Sequence, residues 1–253
     1  MSLNGVHALI TGGGSGIGAA IAVRLHEMGC SLTLVGRNAE RLEVSAARFG
    51  HDAMAAVADV TDDAALEAAW AKGKARFGDP AVLINNAGAA TSAPIKRTSR
   101  ADFEAMLAVN LTSAFSASKL ALPWMLECGF GRIVNVASTA GLKGYPYVAA
   151  YVAAKHGLVG LTRALAAEVA GKGVTVNAVC PGFVDTDLVR GSVGVIMDRT
   201  GMSEDEARAR LAASNPEGRL VTAEEVADAV AWLCGREAGM VSGVALPIAG
   251  GEI

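Results

Sequence analysis

The chain has 253 residues, with 22 lysines and arginines against 25 acids and a net charge of −3. That length suits one domain whose core needs neither metals nor disulfides, and the slight acidity leaves no basic surplus for phosphates, which argues against nucleic acid as a partner. Hydrophobic residues make up 52% but aromatics only 5%, a composition of helices on a buried parallel sheet that excludes fibrous, collagen-like and disordered chains.

Short β-branched runs alternate with Ala-rich amphipathic segments from start to finish. The pattern predicts strands at Val6–Ile10, Ser31–Val35, Ala53–Val57 and Ala81–Ile84, followed in turn by helices over 16–28, 39–49, 62–76 and 99–127. It continues with a strand at Arg132–Val136, a helix over 149–170, a strand at Val174–Val179, a helix at Thr222–Cys234 and a last strand at Val244–Ile248. Such alternation specifies an α/β fold: one doubly wound parallel sheet of about seven strands, with right-handed crossovers and helices on both faces. No linker or repeat divides residues 1–253, so a single domain is expected. The rhythm fails over 182–220, which reads as irregular. Within it, 187–218 is too long for an ordinary connection and is expected to form a substrate lid, with a short helix starting at the Ser203-Glu204-Asp205-Glu206 capping box.

No uninterrupted run reaches the roughly 18 apolar residues of a bilayer span, and no basic segment precedes Val6. Cys30, Cys128, Cys180 and Cys234 are scattered, and the histidines do not cluster at ligand spacings. The expectation is a soluble cytoplasmic protein with no metal site and no membrane partner, acting on a small molecule.

The first strand runs into Thr11-Gly12-Gly13-Gly14-Ser15-Gly16-Ile17-Gly18, and a helix follows at once. Glycines let the backbone approach phosphates, and the first helical turn offers unpaired N–H groups at the positive end of its dipole. Gly14, Gly16 and Ala19 fit a GxGxxA frame. Strand before and helix after make this the expected seat of a dinucleotide pyrophosphate. A carboxylate for the ribose 2′-hydroxyl is expected about 20 residues on, but Val35-Gly36-Arg37-Asn38 stands there. Arg37 is either a solvated surface charge or the partner of a 2′-phosphate. Its place ahead of a helix N-terminus, where a cation is disfavoured, favours NADP(H) over NAD(H).

Tyr151 and Lys155 are spaced i, i+4 and share one helix face. A tyrosine exchanges protons near neutral pH only if nearby positive charge stabilises its phenolate, and Lys155 supplies that charge. Ser138, just past the fifth strand, can hydrogen-bond a substrate oxygen beside the tyrosine. All three fall at carboxyl ends of strands, where open α/β sheets bind ligands.

These residues, with Asp59-Val60, Asn85-Asn86-Ala87-Gly88, Asn110, Pro181-Gly182, Thr186 and Gly250-Gly251, resemble the pattern of the classical short-chain dehydrogenases/reductases over almost the whole length. The resemblance implies a Rossmann fold, NAD(P)(H) as cofactor, and interconversion of a secondary alcohol and a ketone. It implies that Asp59 and Val60 contact adenine, that Asn86, Ala87 and Gly88 lie beside the adenosine ribose, and that Pro181, Gly182, Val184 and Thr186 adjoin the nicotinamide. Lys155 would also bind the nicotinamide ribose. Asn110 would hold a water linking Lys155 to solvent, completing a proton relay with Tyr151 and Ser138. A homotetramer built on the helices over 99–127 and 149–170 is likewise implied.

Within the family, the segments Val179–Phe183 and Gly218–Thr222 are similar to those of 3-hydroxybutyrate dehydrogenases and ketoreductases. Ala90, Ala140 and Val148 stand where hydroxybutyrate enzymes hold a free carboxylate with polar and basic side chains. Unless Lys143 substitutes, a desolvated carboxylate has no partner, which favours a β-hydroxyacyl or β-ketoacyl thioester. A free hydroxy acid, sterol or cyclic alcohol is the alternative, and a non-catalytic dinucleotide sensor a more remote one. Tyr145 and Tyr147 either line the substrate pocket or cover it. The apolar residues Val189, Val193, Val195, Ile196, Met197 and Met202 either cover an acyl chain or pack among themselves. The lid arginines are offset by acids of the same segment, and Cys180 reads as a small buried hydrophobe.

Overall fold

The computed structural model describes residues 2–253, apart from the Leu188 side chain. In chain order it runs β1 (His7–Thr11), α1 (Gly16–Glu27), β2 (Ser31–Gly36), α2 (Ala39–Ala47), β3 (Ala53–Val57), α3 (Asp63–Phe77) and β4 (Val82–Asn85). Then come α4 (Arg100–Leu107), α5 (Ser113–Glu127), β5 (Gly131–Val136), α6 (Ala149–Glu168) and β6 (Val174–Pro181). The chain closes with α7 (Asp187–Thr200), α8 (Glu204–Ala212), α9 (Ala223–Cys234) and β7 (Ala245–Ile248). The strands form one 7-stranded sheet in the order β3-β2-β1-β4-β5-β6-β7, all pairings parallel. Every strand therefore ends on the same edge, and the order reverses between β1 and β4, where such sheets open a crevice.

β1, β4, β5 and β6 are buried along their whole length, which is why their sequences read as nearly unbroken apolar runs. Successive residues face opposite layers. Ile10 and Leu34 meet Ile21 and Leu25 of α1, Leu42 of α2, and Val226 and Val230 of α9. Leu9, Leu83 and Ile133 meet Leu66 and Trp70 of α3 and Ala117, Ala121 and Met125 of α5. Five of the helices start where side chains satisfy their first N–H groups. Asn38 accepts from Arg41 N, Asp62 from Ala64 N and Ala65 N, and capping boxes pair Ser99 with Asp102, Ser203 with Glu206 and Thr222 with Glu225.

A buried polar chain crosses the second layer. Asn85 Nδ2 donates to Asn135 Oδ1 at 2.8 Å, Asn135 Nδ2 to Thr162 Oγ1 at 2.9 Å, and the Thr162 hydroxyl to the Leu158 carbonyl at 2.8 Å. It links β4, β5 and α6 through specific hydrogen bonds inside an otherwise apolar interior.

Three expectations are corrected. The helix over 99–127 is interrupted by a π turn at Ala108–Thr112 that contains Asn110. One inserted residue changes the phase of the apolar stripe without erasing it, so each half still reads as helix. The irregular stretch is largely helical: α7 and α8 form a pair with its own cluster of Val189, Val193 and Ala207, against which Phe183, Ile196, Met197 and Leu211 pack. Finally, Arg100–Glu127 is long and apolar enough by composition to cross a membrane, although Ala117, Ala121 and Met125 of that segment are core residues here.

Candidate active site

The glycine loop after β1 is fastened to the segment after β4. Thr11 Oγ1 accepts from Asn86 N and Ala87 N, both at 3.0 Å, while Asn86 Nδ2 donates to the carbonyls of Thr11 at 3.0 Å and Gly12 at 3.2 Å. Gly12 has φ +68° and Gly16 φ +51°, values that L side chains rarely adopt. A Cβ on Gly16 would lie 3.1 Å from Thr186 Cγ2, so the loop and the residue after β6 face each other. Ser15 at the start of α1 makes no side-chain cap, and no acid stands in the first turn, which Ile17 and Gly18 share. The N–H groups of that turn are left for an anionic ligand. Gly14 backs onto the start of α2, where a Cβ would lie 3.3 Å from Leu42 N. A side-chain-free loop, an uncapped helix start and no competing carboxylate fit a dinucleotide pyrophosphate.

Arg37 follows the last residue of β2, with its side chain 78% exposed and Nη1 3.9 Å from Asp59 Oδ2. An exposed pair at that distance contributes little, so the guanidinium remains available to an anion. Asp59 accepts from Thr61 N at 2.9 Å and Thr61 Oγ1 at 2.7 Å; these bonds, with Arg37 adding a smaller share, hold its carboxyl below the usual range. Val60 beside it is buried.

Ser138 lies two residues past β5 in extended backbone, and its Oγ accepts from Ala140 N at 3.1 Å. Burial pushes the Tyr151 phenol above its ordinary pKa, and the nearby Ser138 hydroxyl draws it part of the way back. Lys155, one turn along α6, is buried, with Nζ 5.6 Å from the Tyr151 ring centroid and donating to the Val136 carbonyl at 2.9 Å. Burial brings its ammonium down to about 8. A Cβ on Gly88 would lie 2.8 Å from Asn110 Oδ1 and 3.7 Å from Lys155 Nζ, so Gly88, Asn110 and Lys155 meet at one point. Asn110 spends its amide on backbone: Nδ2 donates to the carbonyls of Ala89 at 2.9 Å and Met106 at 3.1 Å, and Oδ1 accepts from Ala89 N at 3.3 Å. It adjoins Lys155 without bonding to it.

Past β6, Pro181 ends the strand and Gly182 N donates to the Ile248 carbonyl at 3.1 Å. Val184 bridges to Val221, and Thr186 starts α7. Cys180 is buried among Leu158 and Val159, and burial pushes its thiol up to about 11, which leaves it unreactive.

The sequence does not reveal the part played by Glu252. This penultimate residue is 3% exposed in its side chain; its Oε1 lies 3.0 Å from Lys143 Nζ and accepts from the Tyr145 hydroxyl at 2.5 Å. The Tyr145 oxygen also lies 2.7 Å from Thr139 Oγ1, and since its one proton goes to Glu252, Thr139 is the donor there. The one available signal is a lone acid after the apolar run of β7. Tyr145 is thus an inner residue packed edge-on to Phe183. Tyr147 lies outside, 61% exposed and at φ +67°.

The arrangement brings the Ser138 hydroxyl, the Tyr151 phenol and the Lys155 ammonium to the rim beside the glycine loop. A carbonyl oxygen placed between Ser138 and Tyr151 would meet two O–H groups, one of them able to exchange its proton with the ammonium nearby.

A family model described as short chain dehydrogenase matches residues 6–193. The D-beta-hydroxybutyrate dehydrogenase of Cupriavidus necator is 38% identical over 255 residues, covering 99% of each chain. The 3-oxoacyl-acyl-carrier-protein reductase FabG of Escherichia coli is 36% identical over 251 residues, covering 99% of this chain and 98% of its own. Among solved structures, the actinorhodin polyketide ketoreductase with NADPH superposes with a TM-score of 0.94 at 38% identity, covering 100% of this chain and 99% of that one.

Proposed function

Because the chain belongs to the short chain dehydrogenase family, NAD(P)-dependent oxidoreductases of CH–OH groups, we propose that it reduces a β-ketoacyl thioester to the β-hydroxyacyl thioester with NADPH. The observation that carries the reading is the gathering of Tyr151, Lys155 and Ser138 where β5 ends: Lys155 Nζ lies 5.6 Å from the Tyr151 ring centroid and donates to the carbonyl of Val136, two residues before Ser138. When bound, the nicotinamide supplies the hydride. Tyr151 gives the proton to the ketone oxygen, and Ser138 holds that oxygen in line. Lys155 stabilises the phenolate left on Tyr151. Asn110 fixes the Gly88–Ala89 segment beside the Lys155 amine, where a proton from solvent is handed on.

Gly12, Gly14, Ser15, Gly16, Ile17 and Gly18 hold the pyrophosphate. Asp59 and Val60 take the adenine, and Asn86, Ala87 and Gly88 the adenosine ribose. Pro181, Gly182, Val184 and Thr186 take the nicotinamide end, with Lys155 on its ribose. Exposed Arg37 and the missing carboxylate after β2 support NADP(H) over NAD(H), as does the NADPH of the related ketoreductase. A thioester rather than a free acid is supported by Ala90, Ala140 and Val148, which offer a carboxylate no side-chain partner, and by Lys143, already paired with Glu252. The hydroxybutyrate dehydrogenase relative keeps the free acid as the second reading. Residues 187–218 serve as the lid of this single-domain enzyme. Half-exposed Phe103 and Phe115 on α4 and α5 support a homotetramer joined through that face, soluble in the cytoplasm.

Initial rates with NADPH and NADH, each with acetoacetyl-CoA and with acetoacetate, test the reading. Turnover is expected for the thioester with NADPH, to be lost in Tyr151→Phe while NADPH binding persists. Preference for NADH overturns the cofactor assignment, and preference for acetoacetate overturns the substrate assignment.

A further inference from the structure

The rim carries a buried carboxylate that the reaction above does not use. Glu252 follows the last strand of a sheet whose strands all end on the catalytic edge, so the chain's penultimate residue returns to the site. A Cβ on Gly182 would lie 3.1 Å from Glu252 Oε2, which sets the carboxylate directly behind the turn after β6. Its partner Tyr145 packs on Phe183 of that turn and, through Thr139, is one residue from Ser138. The wall beside the reacting ketone thus holds one anion and one cation, Glu252 and Lys143, already joined at 3.0 Å.

Lys143 is half-exposed and is the cation a substrate carboxylate would seek. Its ammonium is committed twice, to Glu252 Oε1 and to the Glu252 backbone carbonyl at 3.3 Å. A substrate carboxylate arriving there would have to displace a buried anion or sit unpaired beside it, and either is costly. An ester or thioester at the same place carries no charge and meets no such opposition.

Building on the β-ketoacyl reading, we propose that Glu252 is a specificity-determining residue: by occupying Lys143 behind the Gly182 turn, it admits uncharged β-keto esters and thioesters and turns away free β-keto acids. The discrimination lies in binding, because the pair sits behind the Gly182 turn and not among the Ser138, Tyr151 and Lys155 groups that face the carbonyl.

The test compares acetoacetate with ethyl acetoacetate, the same ketone with and without the charge, in the wild-type chain, Glu252→Gln, Lys143→Met and the double variant. Glu252→Gln is expected to release Lys143 and to lower KM for acetoacetate at least tenfold, with kcat and the ester's KM within about twofold. Lys143→Met leaves Glu252 bare and should raise the acetoacetate KM further; the double variant should lose the gain. If Glu252→Gln does not fold, the opposite shift in Lys143→Met still decides. Proportional losses for both substrates, or an unchanged ratio, would reduce Glu252 to a fastening of the chain end and overturn the proposal. A wild-type chain that reduces acetoacetyl-CoA yet prefers acetoacetate to its ester overturns Glu252's role alone. Silence toward the acid, the ester and the thioester overturns the β-ketoacyl reading and this assignment with it.

Discussion

A Cβ on Gly18 would stand 2.1 Å from the carbonyl oxygen of Gly12. The first turn of α1 is pressed directly onto the loop it follows, and the same carbonyl takes the Asn86 amide. Gly18→Ala must therefore move backbone, at a cost of about 1–3 kcal/mol. It should also weaken NADPH binding at least tenfold. Gly14→Ala is the comparison: its Cβ would meet backbone no nearer than 3.3 Å, a tight contact rather than an overlap, so its melting temperature should fall less than that of Gly18→Ala. Thermal melts and a fluorescence titration with NADPH distinguish the two.

Arg37→Asp should reverse the choice of cofactor. The guanidinium is mostly in solvent, and its one ion pair is 3.9 Å long, so stability should change by no more than about 0.5 kcal/mol. The kcat/KM for NADPH is expected to fall at least tenfold while that for NADH is kept or raised. An unchanged ratio would leave Arg37 a surface charge.

Asn110→Ala removes the amide that clasps Ala89 from both sides within the π turn. Part-buried backbone groups at Ala89 and a buried carbonyl at Met106 lose partners, which costs about 1–3 kcal/mol. Ketone reduction should fall at least a hundredfold with NADPH affinity held within a few-fold, because the damage lies on the Lys155 side of the site. Equal loss of affinity and rate would mean that the turn serves the fold alone.

His7 gives the chain an acid-side weakness remote from the site. Its ring lies 2.7 Å from the Gly78 carbonyl through Nδ1 and 2.8 Å from Thr33 Oγ1 through Nε2. Burial is the main cause holding its pKa below 6.5. The unfolded chain therefore takes up the proton first, and stability that is complete above pH 6.5 is lost as the pH falls toward the folded value. Melting temperature should drop as the pH falls below about 6.5 and vary less in His7→Gln; equal slopes for the two proteins would rule His7 out.

The layers, the strand count and the cluster of Ser138, Tyr151 and Lys155 could be read from the sequence because each leaves a local trace: apolar period, capping residues, an i, i+4 spacing. The Ser203–Glu206 capping box began a helix as expected. The helix before it went unread because Gly191 and Gly194, among β-branched valines, depress helix propensity, although Val189, Val193, Ile196 and Met197 keep the i, i+4, i+7, i+8 stripe that packs it. The π turn was hidden because an inserted residue alters phase and not composition. Glu252 was beyond reach for a different reason: it meets Lys143 and Tyr145 more than a hundred residues away, and nothing near it marks the meeting.

The Asn85–Asn135–Thr162 chain has a consequence for the chemistry it never touches. Apolar side chains tolerate a sliding helix, since one methyl contact replaces another, whereas a hydrogen bond holds only at one setting. Thr162 lies seven residues beyond Lys155, on the same face of α6. Its clasp on Asn135 works as a detent: it stops α6 from travelling along the sheet and so sets how far Tyr151 and Lys155 project over the rim. The placement of Tyr151 is set from about three turns deeper in α6, by residues buried away from the rim.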